Sequence, residues 1–173
     1  MPRHSERRNA GNNELEEGDS LFDGIKYVLP ASFVLLILFL ATTEQLVIGI
    51  ALLGLSVLSP LIYWHKGGDV EGMLADIVYG IFDVGGTVIL ASLGAITGGV
   101  WGAVFGTIVG DALLNSFSGV MEGRVAVWLR HKGVKESRSP LVSGVGKMSG
   151  GFLSAGFVLI IIWVNLRLLG ISF

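Results

Sequence analysis

From Met73 to Met121 the chain runs 49 residues without a Lys or Arg. The only formal charges in that block are Asp76, Asp83 and Asp111. Three other apolar blocks accompany it: Tyr27 to Thr43, Leu46 to Trp64, and Leu141 to Phe173. A helix needs about 20 apolar residues to cross a hydrocarbon core of about 30 Å, and each block supplies at least close to that. Composition agrees, with 51% hydrophobic residues, 15% charged residues and a mean hydropathy of +0.70. The expected class is therefore an all-α, polytopic integral membrane protein with four to five transmembrane helices, either five crossings or four plus a re-entrant hairpin that returns to the same side.

Residues 1–26 are polar and aperiodic, and they read as a disordered tail ahead of a single helical domain over 27–173. The acidic stretch before the first apolar run is wrong for a signal-peptide n-region, so that run is expected to remain as an anchor. Spans are expected near 27–43, 46–64, 73–93, 97–119 and 150–170; the alternative for the third and fourth is an amphipathic helix at about 70–84 followed by one long helix through the glycine array. Pro30 falls in the first turn of its span, where a missing N–H is harmless, and Pro60 is expected to kink the second span near its end. Placement of cations orients the chain. With five spans, eleven of the twelve Lys and Arg residues fall on the side of the N-terminus and only Arg167 on the other. The N-terminus and the basic 124–147 loop are thus expected on the inner side of a cytoplasmic membrane, whereas four simple crossings divide the cations evenly.

Glycine is the second constraint, at 26 residues. In GAITGGVWGAVFGTIVG, Gly94, Gly98, Gly102, Gly106 and Gly110 recur at every fourth position. On one continuous helix they would form a slowly winding groove about 24 Å long. Small residues at this spacing let helix backbones approach closely in lipid, where little hydrophobic force acts between helices. The pattern resembles the glycine-zipper stretches of many membrane proteins, including channels, but the resemblance is confined to the array and its flanks. Two partners for the groove are expected: the Gly146, Gly150, Ser154 stripe of the last span, or the same groove on a second copy.

A weak internal similarity pairs VEGMLADIV at 70–78 with MEGRVAVWL at 121–129, and GAITGGVWGA at 94–103 with GKMSGGFLSA at 146–155. True duplication would make each unit an interfacial helix plus one span, the two inverted in the membrane. Chance matching in so biased a composition produces the same similarity.

Carboxylates inside a membrane are costly and mark ion or proton sites by default. Asp83, Asp111 and Asn115 are the candidates for such a path. The plainer reading makes Asp83 a helix end and Asp111 a cap after a break at Gly110, with Asp76 on a solvated face. Arg124, Arg130, Lys132 and Lys135 would contact lipid headgroups, although a plain basic loop accounts for the same residues. Lys147 would snorkel at a span end or pair with Asp83 or Asp111. Thr97, Thr107, Ser116, Ser118 and Ser149 are expected to bond back to their own helices.

Catalytic signals are lacking. His4, His65 and His131 form no metal pair, the chain has no Cys, and GVGKMSGG lacks the phosphate-loop spacing. No cofactor, metal or nucleic acid is expected. The partners expected are membrane lipids and either further copies of the chain, as a homo-oligomer, or other membrane subunits. Two functions follow: a non-catalytic membrane subunit or assembly scaffold packed through the glycine groove, or a small oligomeric channel or transporter for ions or protons.

Overall fold

The computed structural model describes residues 29–30, 32–34, 37, 44–65, 70–134 and 140–170. Of the span expected at 27–43, only those first six positions are described, and all are helical; the 1–26 tail lies outside the described residues. The fold is all-helical, with no strand among the described residues. Helix α1 is Gln45–His65, a 3-10 turn follows at Glu71–Met73, α2 is Leu74–His131 and α3 is Pro140–Leu168. Three helical stretches, Gln45–His65, Glu71–His131 and Pro140–Leu168, are long and apolar enough to cross a membrane.

Helix α2 is bent back on itself. At Gly99 the backbone takes φ 60° and ψ −142°, a conformation that side chains with a Cβ rarely adopt. It divides α2 into a first arm, 74–98, and a second arm, 100–131. Gly102 lies on Gly94, Gly106 on Leu90 and Ala91, and Gly110 on Thr87 and Leu90. Farther from the turn Leu114 covers Gly86, and the rings of Phe82 and Phe117 meet edge to face with centroids 5.4 Å apart. Residue numbers fall along one arm as they rise along the other, so the arms are antiparallel.

This corrects the expectation of one continuous groove. The array is folded in half at the doubled glycine Gly98–Gly99, and its halves are turned toward the interior of their own hairpin. A methyl group on Gly94 would overlap the carbonyl oxygen of Gly102, and one on Gly102 would overlap that of Gly94. Gly98 has open space around it. Neither the last span nor a second copy is needed to fill the groove, because the first arm already does.

The small-residue stripe of α3 packs elsewhere. Gly146 lies against Met73 and Asp76, Gly150 against the Ile77 carbonyl, and Ser154 against Gly85. Numbers rise together here, so α3 runs parallel to the first arm. On its other side α3 packs antiparallel to α1, with Gly156 against Gly49 and Leu53, and of the other two helices α1 packs only on α3. These directions bring the end of α1, both ends of α2 and the start of α3 to one end, the base. The Gly99 turn, the start of α1 and the end of α3 lie at the other end, the tip. Met73, Val142 and Val145 form a buried cluster at the base, and Ala75, Ala126 and Leu129 form a second.

Other expectations change for identifiable reasons. The segments 94–103 and 146–155 are not equivalent, since one holds the hairpin turn and the other is uninterrupted helix. Helix continues through Asp83 and Asp111, so neither ends nor caps a helix; the break falls at Gly99 and not at Gly110. Thr97 and Thr107 do bond back to their own helix, but Ser149 reaches across to α1. Its hydroxyl donates to the Ser56 carbonyl at 2.6 Å. Pro60 stands four residues after Ser56 and has no N–H to offer that carbonyl, so α3 supplies the donor that α1 lacks.

Candidate functional site

Polar residues on the two arms fall on matching faces. Asp76, Tyr79 and Asp83 are spaced i, i+3, i+7 on the first arm, and Asp111, Asn115, Ser118 and Glu122 are spaced i, i+4, i+7, i+11 on the second. Each spacing keeps its members on one side of a helix. From α3, Ser143 and Lys147 complete the group.

The base of this stripe is an ion-paired cluster. The Lys147 ammonium lies 3.9 Å from Asp76 Oδ1 and 3.6 Å from Glu122 Oε2. It also sits 4.2 Å from the ring centroid of Tyr79, where the aromatic face attracts a cation. Asp76 is only 6% exposed and accepts a 2.5 Å hydrogen bond from the Ser143 hydroxyl. It is thus a buried, paired carboxylate rather than the solvated residue expected. Lys147 pairs with Asp76 and Glu122, not with Asp83 or Asp111.

Above this cluster the Tyr79 hydroxyl donates to Asn115 Oδ1, joining the two arms. Asp83 lies one turn beyond Tyr79. Its Oδ1 is buried and has no hydrogen-bond partner among the described residues, although the carboxylate interacts electrostatically with Asp111 and Lys147. The hydroxyl of fully buried Ser118 is likewise without a partner. Most buried polar groups in proteins are hydrogen-bonded, so each exception calls for an explanation. Asp111 and Asn115 are exposed on the second arm.

The hairpin therefore brings Asp83, Asp111 and Asn115 into one neighbourhood and adds Tyr79, Glu122, Ser143 and Lys147. The added residues had a signal in the helical spacing of Asp76, Tyr79 and Asp83, and in that of Asn115 and Glu122. What sequence lacked was the reversal that sets the two faces side by side. Arg124, Arg130 and Lys132 are exposed at the base end of the second arm, where Lys132 lies 5.9 Å from the Trp128 ring centroid and Arg130 Nε donates to the Ala126 carbonyl. Lys135 lies outside the described residues.

No protein family, curated protein or solved structure matches the chain. The chemistry of the site must be read from its residues alone. Among the described residues no group of three or more His, Cys, Asp or Glu side chains is arranged to hold a metal ion. The stripe offers instead a sequence of acceptors, from the ion-paired base to the Asp83 and Asp111 carboxylates, on otherwise apolar helices. Such an arrangement can bind and relay protons or small cations.

Proposed function

We propose that this chain is a membrane protein of five spans that moves protons or small cations along the Asp83, Asp111 and Asn115 stripe. The observation that carries the reading is the unpartnered, buried Oδ1 of Asp83. Sixteen residues separate Asp83 from the Gly99 turn, which sets it about 24 Å along the first arm from the tip. Asp83 is also nine residues, about 14 Å, from the start of the arm at Leu74, and a carboxylate held that far from both ends of a membrane-spanning arm is expensive without a task. The arms form the third and fourth spans, α1 the second and α3 the fifth. Contact directions gather Arg124, Arg130, Lys132 and Lys147 toward the base and leave Arg167 toward the tip, so the positive-inside rule puts the base and the N-terminus on the cytoplasmic side.

The alternative, a non-catalytic membrane subunit assembled through the glycine groove, loses its docking surface when the array is filled by its own hairpin. It remains the reading if no flux is found. Purified protein in liposomes, with an imposed pH or potassium gradient, provides the test. Asp83→Asn is expected to cut flux at least tenfold and Asp111→Asn to reduce it. Equal flux in wild type and both variants, or none above protein-free liposomes, refutes the transport reading.

A further inference from the structure

The polar stripe is out of electrical balance. It carries four carboxylates, Asp76, Asp83, Asp111 and Glu122, against one ammonium, that of Lys147. The ammonium stands at the base, 3.9 Å from Asp76 Oδ1 on the first arm and 3.6 Å from Glu122 Oε2 on the second, with the Tyr79 ring centroid 4.2 Å away. Its backbone is held against the first arm. The Lys147 carbonyl oxygen lies where a Cβ on Gly80 would stand, and neighbouring Gly146 lies against Met73 and Asp76. The side chain thus leaves a fixed point of α3 and sets its charge between the arms, among carboxylates and an aromatic face that would also attract a free cation. Exposure falls inward across the trio, with the side chains of Lys147, Glu122 and Asp76 39%, 29% and 8% exposed. A second observation marks the position as more than an ion pair. Ser118, one turn from Glu122 toward the tip and on the same helical face, has a fully buried hydroxyl with no partner among the described residues.

We infer that Lys147 is a tethered cation filling the cation subsite at the base, and that the stripe in consequence carries protons and excludes sodium and potassium. Only the second clause rests on the transport reading. A second monovalent cation about 4 Å from the ammonium has its occupancy lowered roughly a thousandfold at an effective dielectric constant of about 20. A proton meets no such barrier, because it needs no empty subsite. It binds a carboxylate already in place and leaves again while the ammonium stays where it is. Glu122, the more exposed of the two base carboxylates, is the one a proton from outside reaches first. The Ser118 hydroxyl can accept a proton on its oxygen and release its own toward Asp111, seven residues back on the same face. An alkali cation following that route would have to pass the ammonium and give up its hydration for a single hydroxyl.

The thermal unfolding midpoint of purified protein in mixed micelles tests the occupancy without any flux. Potassium chloride and sodium chloride are each compared with N-methylglucamine chloride at equal concentration. Wild type is expected to unfold at the same midpoint in all three. Lys147→Met leaves two carboxylates without their cation and should gain about 3 °C in potassium or sodium, as for a site held at roughly ten times its Kd. Lys147→Gln, the second variant should Lys147→Met fail to fold, is expected to gain likewise. Lys147→Arg should match wild type, and Glu122→Gln added to Lys147→Met should abolish the gain. In liposomes wild type should move protons with at least tenfold less potassium, and Lys147→Met should raise potassium flux at least tenfold. No alkali-cation gain in the folded Lys147→Met or Lys147→Gln variant overturns the inference. So does a gain of equal size in wild type, or wild-type potassium flux equal to its proton flux. A gain confined to these two variants, in a protein that moves no ion, refutes the proposed function and leaves the tethered cation standing.

Discussion

Deleting the hydroxyl of Ser149 tests whether α3 repairs a defect built into α1. The Ser56 carbonyl has lost its ordinary donor to Pro60, and the Ser149 hydroxyl takes that place at 2.6 Å, with Ser56 3% and Ser149 5% exposed. Burial of both residues leaves the carbonyl shielded from bulk solvent once the hydroxyl is gone. Leaving a buried acceptor unpaired costs about 1–3 kcal/mol, and interhelical hydrogen bonds in membranes are worth about 0.6 kcal/mol on average and up to about 1.7. Ser149→Ala should therefore destabilise by about 1–1.5 kcal/mol. Pro60→Ala restores an N–H four residues from Ser56, and in that background the hydroxyl becomes redundant. There the same Ser149→Ala change should cost less than about 0.5 kcal/mol, a coupling of about 1 kcal/mol between residues on different helices. Reversible unfolding in mixed micelles, followed by fluorescence of the four Trp residues, gives all four corners of the cycle. Equal costs of Ser149→Ala in the two backgrounds would refute the reasoning.

Further predictions follow from the hairpin and its base. Gly102→Ala drives a methyl into the Gly94 backbone and should cost about 1–3 kcal/mol by overpacking, whereas Gly98→Ala, with open space, should be neutral or stabilising by up to about 1 kcal/mol; the same unfolding assay ranks them. Gly99→Ala forces a Cβ onto φ 60° and should cost about 1–3 kcal/mol, read as a lower midpoint in the same titration. Lys147→Met leaves buried Asp76 with Ser143 but no cation, and should destabilise by about 1–2 kcal/mol, between a surface pair and a fully buried one. Adding Glu122→Gln to that variant should recover part of the loss, and a double variant less stable than the single one would contradict the pairing.

The all-helical class and the apolar blocks were legible because membrane burial writes itself into composition and into the absence of Lys and Arg. Two spans within Met73 to Met121 put the expected break near 93–97, and the backbone turns at Gly99. What sequence misread was the use of the glycines. A spacing of four is the same whether the residues share one helix or face each other across a turn, and only the φ of Gly99 distinguishes the two. Asp76 looked solvated because the residue that buries it, Gly146, is 70 positions away, and the Ser143 and Lys147 partners are equally remote. Asp83, Asp111 and Asn115 could be singled out by chemical type alone. Their neighbours Tyr79 and Glu122 needed the register of the hairpin, which local pattern does not contain.

The turn at Gly99 also bears on how the chain enters a bilayer. Most helical hairpins carry a polar loop at their apex, and that loop must be hauled through the hydrocarbon before the second helix can form. Here the apex is two glycines between Thr97 and Val100, and no charged residue occurs between Asp83 and Asp111. Both arms can slide in together as a closed pair, leading with an apex whose burden is little more than a few peptide groups. In the proposed five-span arrangement the far side of the membrane would receive almost no chain from this region, and a protease or a label approaching from there would find nothing to hold.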